Sequence, residues 1–370
     1  AKEKSLTTYP SLVGKMTDKD YPWVTLITAV MTVIFLGAYC AAQLVAGAKI
    51  GVQLFDWDFT YFVFGGAAVL VAYCWSGGIR ASIWTDAVQA FIIIFSLIVL
   101  IVAAVLHIGG IGAIINEVRN FPPEMVNPFQ LDFLWVSIGW IVFGITVLGQ
   151  PHLMVRHMCA RTNKDIDRAL KIYLAWRMTV LFLACVSGIL ARIIIPDAGT
   201  FDPELSIPQL WQDLLPPVLV GLLIAGLFSA TMSSADSMLL SASSALTQHV
   251  IPAFRNSYML ARLGTVLVIT IVIAISLFAQ KGVLALVIIA WGGLASSVGP
   301  LMVVQLLGGK PSQKLAVTMM VVGFATAVIW RYGLGWHTTL MELVPGFCAG
   351  LLVFGVARVF KKIKPTQQAA

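Results

Sequence analysis

VLVGLLIAGLFSATMSSADSMLLSASSALTQHV, residues 218–250, is the stretch that decides the fold of this chain. Its first half is apolar and uncharged, as expected of a helix that spans a membrane. Its second half becomes small and polar and contains one acid, Asp236. At helical spacing, one face of this half collects side chains that are three or four residues apart, namely Ala230, Ser233, Ser234, Ser237, Ser241 and Ser244.

This polar face has two interpretations. Small serine and alanine side chains let two membrane helices approach each other closely. Alternatively, hydroxyl and carbonyl oxygens inside a membrane hold an alkali cation, as they do in many transporters. Asp236 favours the second hypothesis, because a carboxylate at membrane depth is costly and faces a cavity, a partner or an ion path.

The composition agrees with a membrane protein. The chain is 59% hydrophobic and 11% charged, and its mean hydropathy is +0.91, which is far from the average of soluble proteins. The net charge is +7, but the basic residues are scattered in short loops, so we expect no nucleic-acid partner. The five cysteines are odd in number and lie in or beside apolar runs, which is typical of helix packing rather than of a disulfide framework.

Apolar runs of about 20 residues predict ten membrane spans. They lie near residues 22–48, 59–77, 81–108, 132–155, 169–195, 217–248, 258–280, 283–307, 314–333 and 340–360. The pattern therefore predicts an all-α polytopic membrane protein. Its parts are a cytoplasmic surface segment over 1–21, a single transmembrane domain over 22–360 and a cytoplasmic tail over 361–370.

The distribution of positive charge predicts the orientation. Eighteen of the 24 Lys and Arg residues fall on one side, Arg177 lies within a span, and five fall on the other side, namely Lys49, Arg119, Arg192, Lys281 and Arg331. Because cytoplasmic loops are enriched in Lys and Arg, this count places both ends of the chain in the cytoplasm of a cell membrane.

Two further features fall within the predicted spans. Asp86 lies at a depth similar to that of Asp236, as a paired acid site for a cation requires, although a salt bridge to Arg80 or a cap at the interface would also explain it. The sequences GQPH (149–152) and WGGLASSVGP (291–300) predict breaks in two helices. Transporters use such breaks to expose carbonyls to ions and substrate, and the alternative is a kink that serves packing only.

At this point the chain resembles the sodium/solute symporters, most closely their proline-transporting branch. The similarity covers nearly the whole chain in order, and it rests on the motifs LTTYPSLVGKMTDKD, YCAAQLVAGAKI, WTDAVQA, GQPHLMVRHM, FSATMSSADSMLLSASSALT, AWGGLASSVGP and ELVPGF. The resemblance implies the leucine-transporter-type inverted-repeat fold. Residues 1–21 resemble the loop before the third core helix of the family, so we expect the chain to be incomplete at its N-terminus.

The resemblance also implies the sodium ligands. The conserved sodium site of the family corresponds to Ala230, Ser233 and Ser234. A second sodium site found in some members corresponds to Asp86, Ser233, Asp236 and Ser237. An acid at position 236 is not typical of the proline branch, and the run SSADS is more similar to the choline branch.

The solute site is implied in the same way. A substrate-contacting aromatic residue of the family matches Tyr39, whereas a Trp and a Tyr of the proline branch match Phe143 and Val147. The Trp and the Tyr are therefore absent from these two positions, and Trp140, one turn before Phe143, is expected to compensate for their absence.

The sequence therefore predicts a sodium-coupled symporter that imports a small organic solute by alternating access. The favoured solute is proline or a related zwitterion. The alternatives are another solute (choline, pantothenate or a monocarboxylate) and a membrane sensor that does not transport. We expect sodium as the coupling ion, no organic cofactor, a lipid bilayer around the chain and a monomer. An enzyme is not expected, because the sequence contains neither HExxH nor GxSxG.

Overall fold

The computed structural model describes residues 6–15, 19–76, 78–127, 129, 131–160, 162–195, 202–279 and 282–361, and within these ranges the chain is helical without strands. The α-helices are, in order, α1 (Tyr9–Lys15), α2 (Pro22–Phe55), α3 (Phe59–Ser76), α4 (Gly78–Ile108), α5 (Ile111–Arg119), α6 (Pro123–Val126), α7 (Leu131–Ile145), α8 (Pro151–Met158), α9 (Asn163–Ile194), α10 (Ser206–Leu214), α11 (Pro217–Ala245), α12 (Tyr258–Phe278), α13 (Val283–Leu306), α14 (Gln313–Val328) and α15 (Leu343–Lys361). Parts of the predicted segment 1–21 and most of the predicted tail 361–370 lie outside the described residues.

The predicted spans correspond in order to helices of the structure. Among the residues that the structure describes, eight helices are long and apolar enough to cross a membrane, namely α2, α4, α9, α11, α12, α13, α14 and α15. A ninth crossing is formed if α7 and α8 act as one bent span, and α3 supplies a shorter apolar helix. The chain is therefore a multi-pass, all-α membrane protein, as predicted.

The two predicted helix breaks have different outcomes. The break at residues 149–152 is confirmed, because α7 ends in a 3₁₀ turn and the chain bends by 50° before α8 begins at Pro151. The predicted break at 291–300 is wrong, because α13 runs uninterrupted through Pro300. Pro300 cannot donate to the carbonyl of Ser296, and α14 packs closely against that carbonyl through Gly323, so neighbouring helices support the proline turn.

Helix α2 lies at the centre of the fold and packs most extensively against α11 and α13. A glycine permits each of these two helix contacts. A Cβ on Gly47 of α2 would lie 3.0 Å from the ring of Phe228 on α11. A Cβ on Gly293 of α13 would lie 2.3 Å from the ring of Phe35 on α2. The largest apolar core of the described residues is built around these three helices, with contributions from α3, α12 and α14.

The N-terminal helix α1 is part of this core. Tyr9 and Val13 are fully buried, and the Tyr9 hydroxyl donates to the carbonyl of Leu148 at 2.7 Å. Gln305 of α13 donates to the carbonyl of Val13 at 3.1 Å. These buried contacts were not anticipated from the polar composition of residues 1–21, and they place α1 under the bend between α7 and α8.

An ionic network ties α2 to the segment before α10. Lys49 donates to Asp202 at 2.8 Å and to Glu204 at 2.6 Å, and Glu204 also accepts from the backbone N–H groups of Val283 and Leu284 at the start of α13. The hydrogen bond from Lys49 holds the pKa of Asp202 below its usual value. Burial acts to raise the pKa of Glu204, but the bonds from Leu284 and Lys49 outweigh it and the pKa is lowered.

Loss of this ionic network is expected to make α10 open locally more often. Because both pKa values are lowered in the folded state, the network contributes stability above the unfolded values of about 4 and loses it as the pH falls through the lower folded values. Glu204→Gln is expected to reduce amide protection in α10 at pH 7, as measured by hydrogen exchange. The matched control is Glu117→Gln, on the exposed surface of α5, and equal protection in both variants would contradict this role of Glu204.

Candidate functional site

The polar half of α11 is directed into the protein. Asp236 is 5% exposed and Ser237 is 8% exposed, whereas Ser233 and Ser234 are half-buried. Because α11 packs against both α2 and α4, its hydroxyl-rich face can meet side chains of either neighbour. This placement is compatible with the ion-site hypothesis for α11.

Asp86 of α4 meets this face directly. The Ser233 hydroxyl donates to Asp86 Oδ1, and the guanidinium of Arg156 on α8 contacts both Asp86 Oδ2 and the Ser237 hydroxyl. Arg156 was not among the predicted site residues. The side chain of Arg80, which was considered as an alternative partner of Asp86, lies outside the described side chains.

Asp236 occupies the other side of the same cluster. It accepts a hydrogen bond from Ser82 of α4 at 2.7 Å and a longer one from Ser237 at 3.4 Å. Ser82 was also missed, although it lies one turn before Asp86 on the same helix. The four residues assigned to a second sodium site are therefore brought together, and we define the polar cluster as these four residues with Ser82 and Arg156.

Ala230 and Ser234 lie on α11 beside the polar cluster but outside its hydrogen bonds. Within the described part of the chain, the Ser234 hydroxyl forms no side-chain hydrogen bond, which leaves its oxygen available as a ligand. The described residues include no group of three or more His, Cys, Asp or Glu side chains placed to hold a metal ion. Any cation bound here would therefore depend on hydroxyl and carbonyl oxygens, with a carboxylate to balance its charge.

The three predicted solute residues, Tyr39, Trp140 and Phe143, form an aromatic cluster with Trp291. The ring of Phe143 stacks on Trp291 of α13 with centroids 4.1 Å apart, and Trp140 lies 5.1 Å from Phe143. Tyr39 of α2 packs against the same group, and its ring meets His152 edge-on at 5.8 Å. Trp140 is 47% exposed, so it lies at the margin of the cluster.

Polar groups around the bend hold the aromatic cluster in place. Trp291 Nε1 donates to the hydroxyl of Thr146 at 3.1 Å, and the Gln150 amide donates to the carbonyl of Trp291 at 3.3 Å. Gln150 Oε1 and His152 Nδ1 are buried and have no hydrogen-bond partner. Unpaired buried polar atoms are costly in a packed interior, and here they lie beside the residues predicted to bind the solute.

Helix α8 links the aromatic cluster to the polar cluster. His152 and Arg156 are one helical turn apart on it. Both residues line a cavity of about 250 Å³ that also receives Ser82 and Ser237. Trp291 belongs to the aromatic cluster and Ser82 to the polar cluster, although sequence reasoning assigned no ligand-binding role to either residue.

Comparison with known proteins identifies the family. The sequence profile of the Sodium:solute symporter family matches residues 6–323. The high-affinity proline transporter PutP of Bacillus subtilis is 30% identical over 336 residues, which is 88% of this chain and 71% of that protein. The sodium/proline symporter of Escherichia coli is 30% identical over 371 residues, which is 95% of this chain and 73% of that protein.

The fold also has a relative among solved structures. A Na⁺-coupled sialic acid symporter in its substrate-bound outward-open state superposes with a TM-score of 0.80, covering 99% of this chain and 79% of that one at 16% sequence identity. This likeness shows the fold, which is of the leucine-transporter type. By its sequence profile and its relatives at 30% identity, the chain belongs to the sodium:solute symporter family.

Proposed function

We propose that this chain is a sodium-coupled symporter that imports proline or a related zwitterion by alternating access. The relatives with about 30% identity support the substrate class. The observation that carries the proposal is the polar cluster, in which Asp86 and Asp236 meet the α11 hydroxyls within membrane-spanning helices. Acids and hydroxyls at this depth match the requirements of a site for a monovalent cation.

In this proposal, sodium binds on α11 to the carbonyl of Ala230 and the hydroxyls of Ser233 and Ser234. Asp236, on the same helix, supplies negative charge nearby. Bound sodium favours the outward-open state and thereby raises the affinity for solute, since a ligand shifts an equilibrium towards the state that it binds more tightly. One positive charge gains about 2.3 kcal/mol per 100 mV of membrane potential, which is enough for roughly one to two decades of accumulation.

The aromatic cluster is proposed to bind the solute. Tyr39, Trp140 and Phe143 offer flat apolar surfaces on which a pyrrolidine ring can pack. The unpaired atoms Gln150 Oε1 and His152 Nδ1 offer hydrogen-bonding capacity for the polar part of a zwitterion. A zwitterion with an apolar ring therefore matches both the aromatic surfaces and the unpaired polar atoms beside them.

Uptake into proteoliposomes tests the transport function. With an inward sodium gradient, the full-length protein is expected to accumulate labelled proline above the external concentration, and replacement of sodium by potassium is expected to abolish accumulation. Choline, pantothenate and a monocarboxylate, added as competitors, would reveal another solute. Binding of proline without accumulation would instead indicate a sensor.

Phe143→Ala is expected to raise the KM for proline about tenfold, with a smaller effect on kcat, because it removes one aromatic surface, a change of about 1.4 kcal/mol. Phe324→Ala is the matched control, since Phe324 pairs with Phe35 at 5.7 Å in the largest apolar core and is not one of the proposed solute residues. A KM that changes equally in both variants would argue against the aromatic cluster as the solute site.

A further inference from the structure

The guanidinium of Arg156 lies where the family resemblance implies a second sodium ion. Its Nη2 contacts Asp86 Oδ2 on α4 and the Ser237 hydroxyl on α11. Asp86 and Ser237 are two of the four residues assigned to a second sodium. The guanidinium thus makes, in this structure, contacts that a bound ion would make with both helices.

The charges around the polar cluster support this view. Among its described side chains there are two carboxylates, Asp86 and Asp236, and one guanidinium, Arg156. Asp86 is 17% exposed and Arg156 is 35% exposed, so solvent screens their interaction only in part. One further monovalent cation would neutralise the polar cluster, whereas two would leave an excess positive charge within the membrane-spanning helices.

Repulsion acts against a second mobile cation next to Arg156. Two like charges about 4 Å apart, at an effective dielectric constant of about 20, disfavour each other by roughly a thousandfold in an equilibrium constant. Arg156 lines the adjoining cavity of about 250 Å³, while its guanidinium contacts Asp86 Oδ2. A sodium ion would therefore have to displace the guanidinium before it could bind Asp86.

We propose that Arg156 is the resident cation of the second position, so that the chain couples a single sodium ion, bound near Ser233 and Ser234, to each solute. This inference rests on the proposed symport function and specifies its stoichiometry. It makes Arg156 a residue that determines how many ions are carried. A purely structural ion pair between α8 and α4 would leave the number of bound ions unaffected by its removal.

The experiment counts bound sodium. Binding of ²²Na⁺ to the purified full-length protein in nanodiscs is expected to saturate at one ion per molecule in the wild type and at two in Arg156→Gln, in which Asp86 becomes free to bind sodium. Arg156→Lys retains the charge and is expected to bind one ion. The Hill coefficient for sodium activation of uptake is expected to rise from about 1 towards 2 only in Arg156→Gln.

A double variant protects the test against misfolding. Asp86→Asn combined with Arg156→Gln removes the pair without leaving an unpaired charge, and it is expected to bind one ion, as the wild type does. Two ions in the wild type, or one ion in a folded Arg156→Gln, would overturn the assignment of Arg156. So would loss of one ion in the double variant. Absence of sodium binding in the wild type would overturn the proposed symport function instead.

Discussion

Replacing Ser233 and Ser234 together by alanine is expected to weaken sodium activation of solute uptake by about a hundredfold. Each hydroxyl is proposed as a direct sodium ligand, and loss of a hydrogen-bond-strength contact to a charge costs about 1.5 kcal/mol, so two losses approach 3 kcal/mol. The expected change lies in the sodium concentration for half-maximal uptake, with maximal uptake at saturating sodium changed much less.

The measurement is uptake into proteoliposomes over a range of sodium concentrations. Ser243→Ala is the matched control, because Ser243 is a buried serine of the same helix whose hydroxyl meets Thr265 on α12 at 2.6 Å. It removes a hydroxyl from α11 without touching the proposed ligands. An unchanged sodium requirement in the double variant would remove α11 from the ion site.

Gly323→Val is expected to prevent stable packing of α13, α14 and α15. A Cβ at position 323 would lie 2.1 Å from the carbonyl oxygen of Ser296 and 3.0 Å from that of Gly346. Both atoms belong to helix backbones and cannot move independently, so the clash must separate the helices. Overpacking of this kind costs about 3 kcal/mol or more, and we expect a lower melting temperature and loss of the monodisperse peak in size-exclusion chromatography.

Gly355→Ala on α15 provides the contrast for this prediction. A Cβ at this position would meet nothing within 4 Å, and alanine favours a helix over glycine by about 1 kcal/mol. We therefore expect Gly355→Ala to leave the melting temperature unchanged or to raise it. A melting temperature for Gly323→Val that matches that of Gly355→Ala would show that α13 and α14 are not in close contact.

The spans were predictable because membrane helices carry their signal locally, as long runs of apolar residues. The bend before α8 was predictable for a similar reason, since Pro151 directly follows a glycine and a glutamine within one span. Pro300 shows the limit of local reasoning. Whether a proline interrupts a helix depends on its neighbours, and the contact of Gly323 with the Ser296 carbonyl connects residues that are far apart in the sequence.

The contents of the polar cluster were only partly predictable. Ser233, Asp236 and Ser237 were identified from the polar face of residues 218–250 and Asp86 from its depth, and the resemblance to a known family grouped all four as one sodium site. Arg156 was counted only as a basic residue at the end of a span, because its partners Asp86 and Ser237 are 70 and 81 residues away. Sequence spacing within one helix cannot show which side chain of another helix neutralises an acid.

The aromatic cluster gives the same lesson. Tyr39, Trp140 and Phe143 were named individually, whereas Trp291, which stacks on Phe143, was considered only as part of a helix break. Its role depends on the close approach of α13 to the bend, where a Cβ on Gly149 would lie 3.2 Å from the backbone nitrogen of Gly299. Two glycines from distant parts of the chain permit that approach.

The short helix α8 has a consequence for the coupling of the two ligands. It carries His152 against the aromatic cluster and Arg156 in the polar cluster, and these residues are one turn apart on the same eight-residue helix. A tilt of α8 about Gln150 would displace both side chains at once. Under such a tilt, the proposed solute would strengthen sodium binding by the same factor by which sodium strengthens binding of that solute, because a coupling free energy is reciprocal.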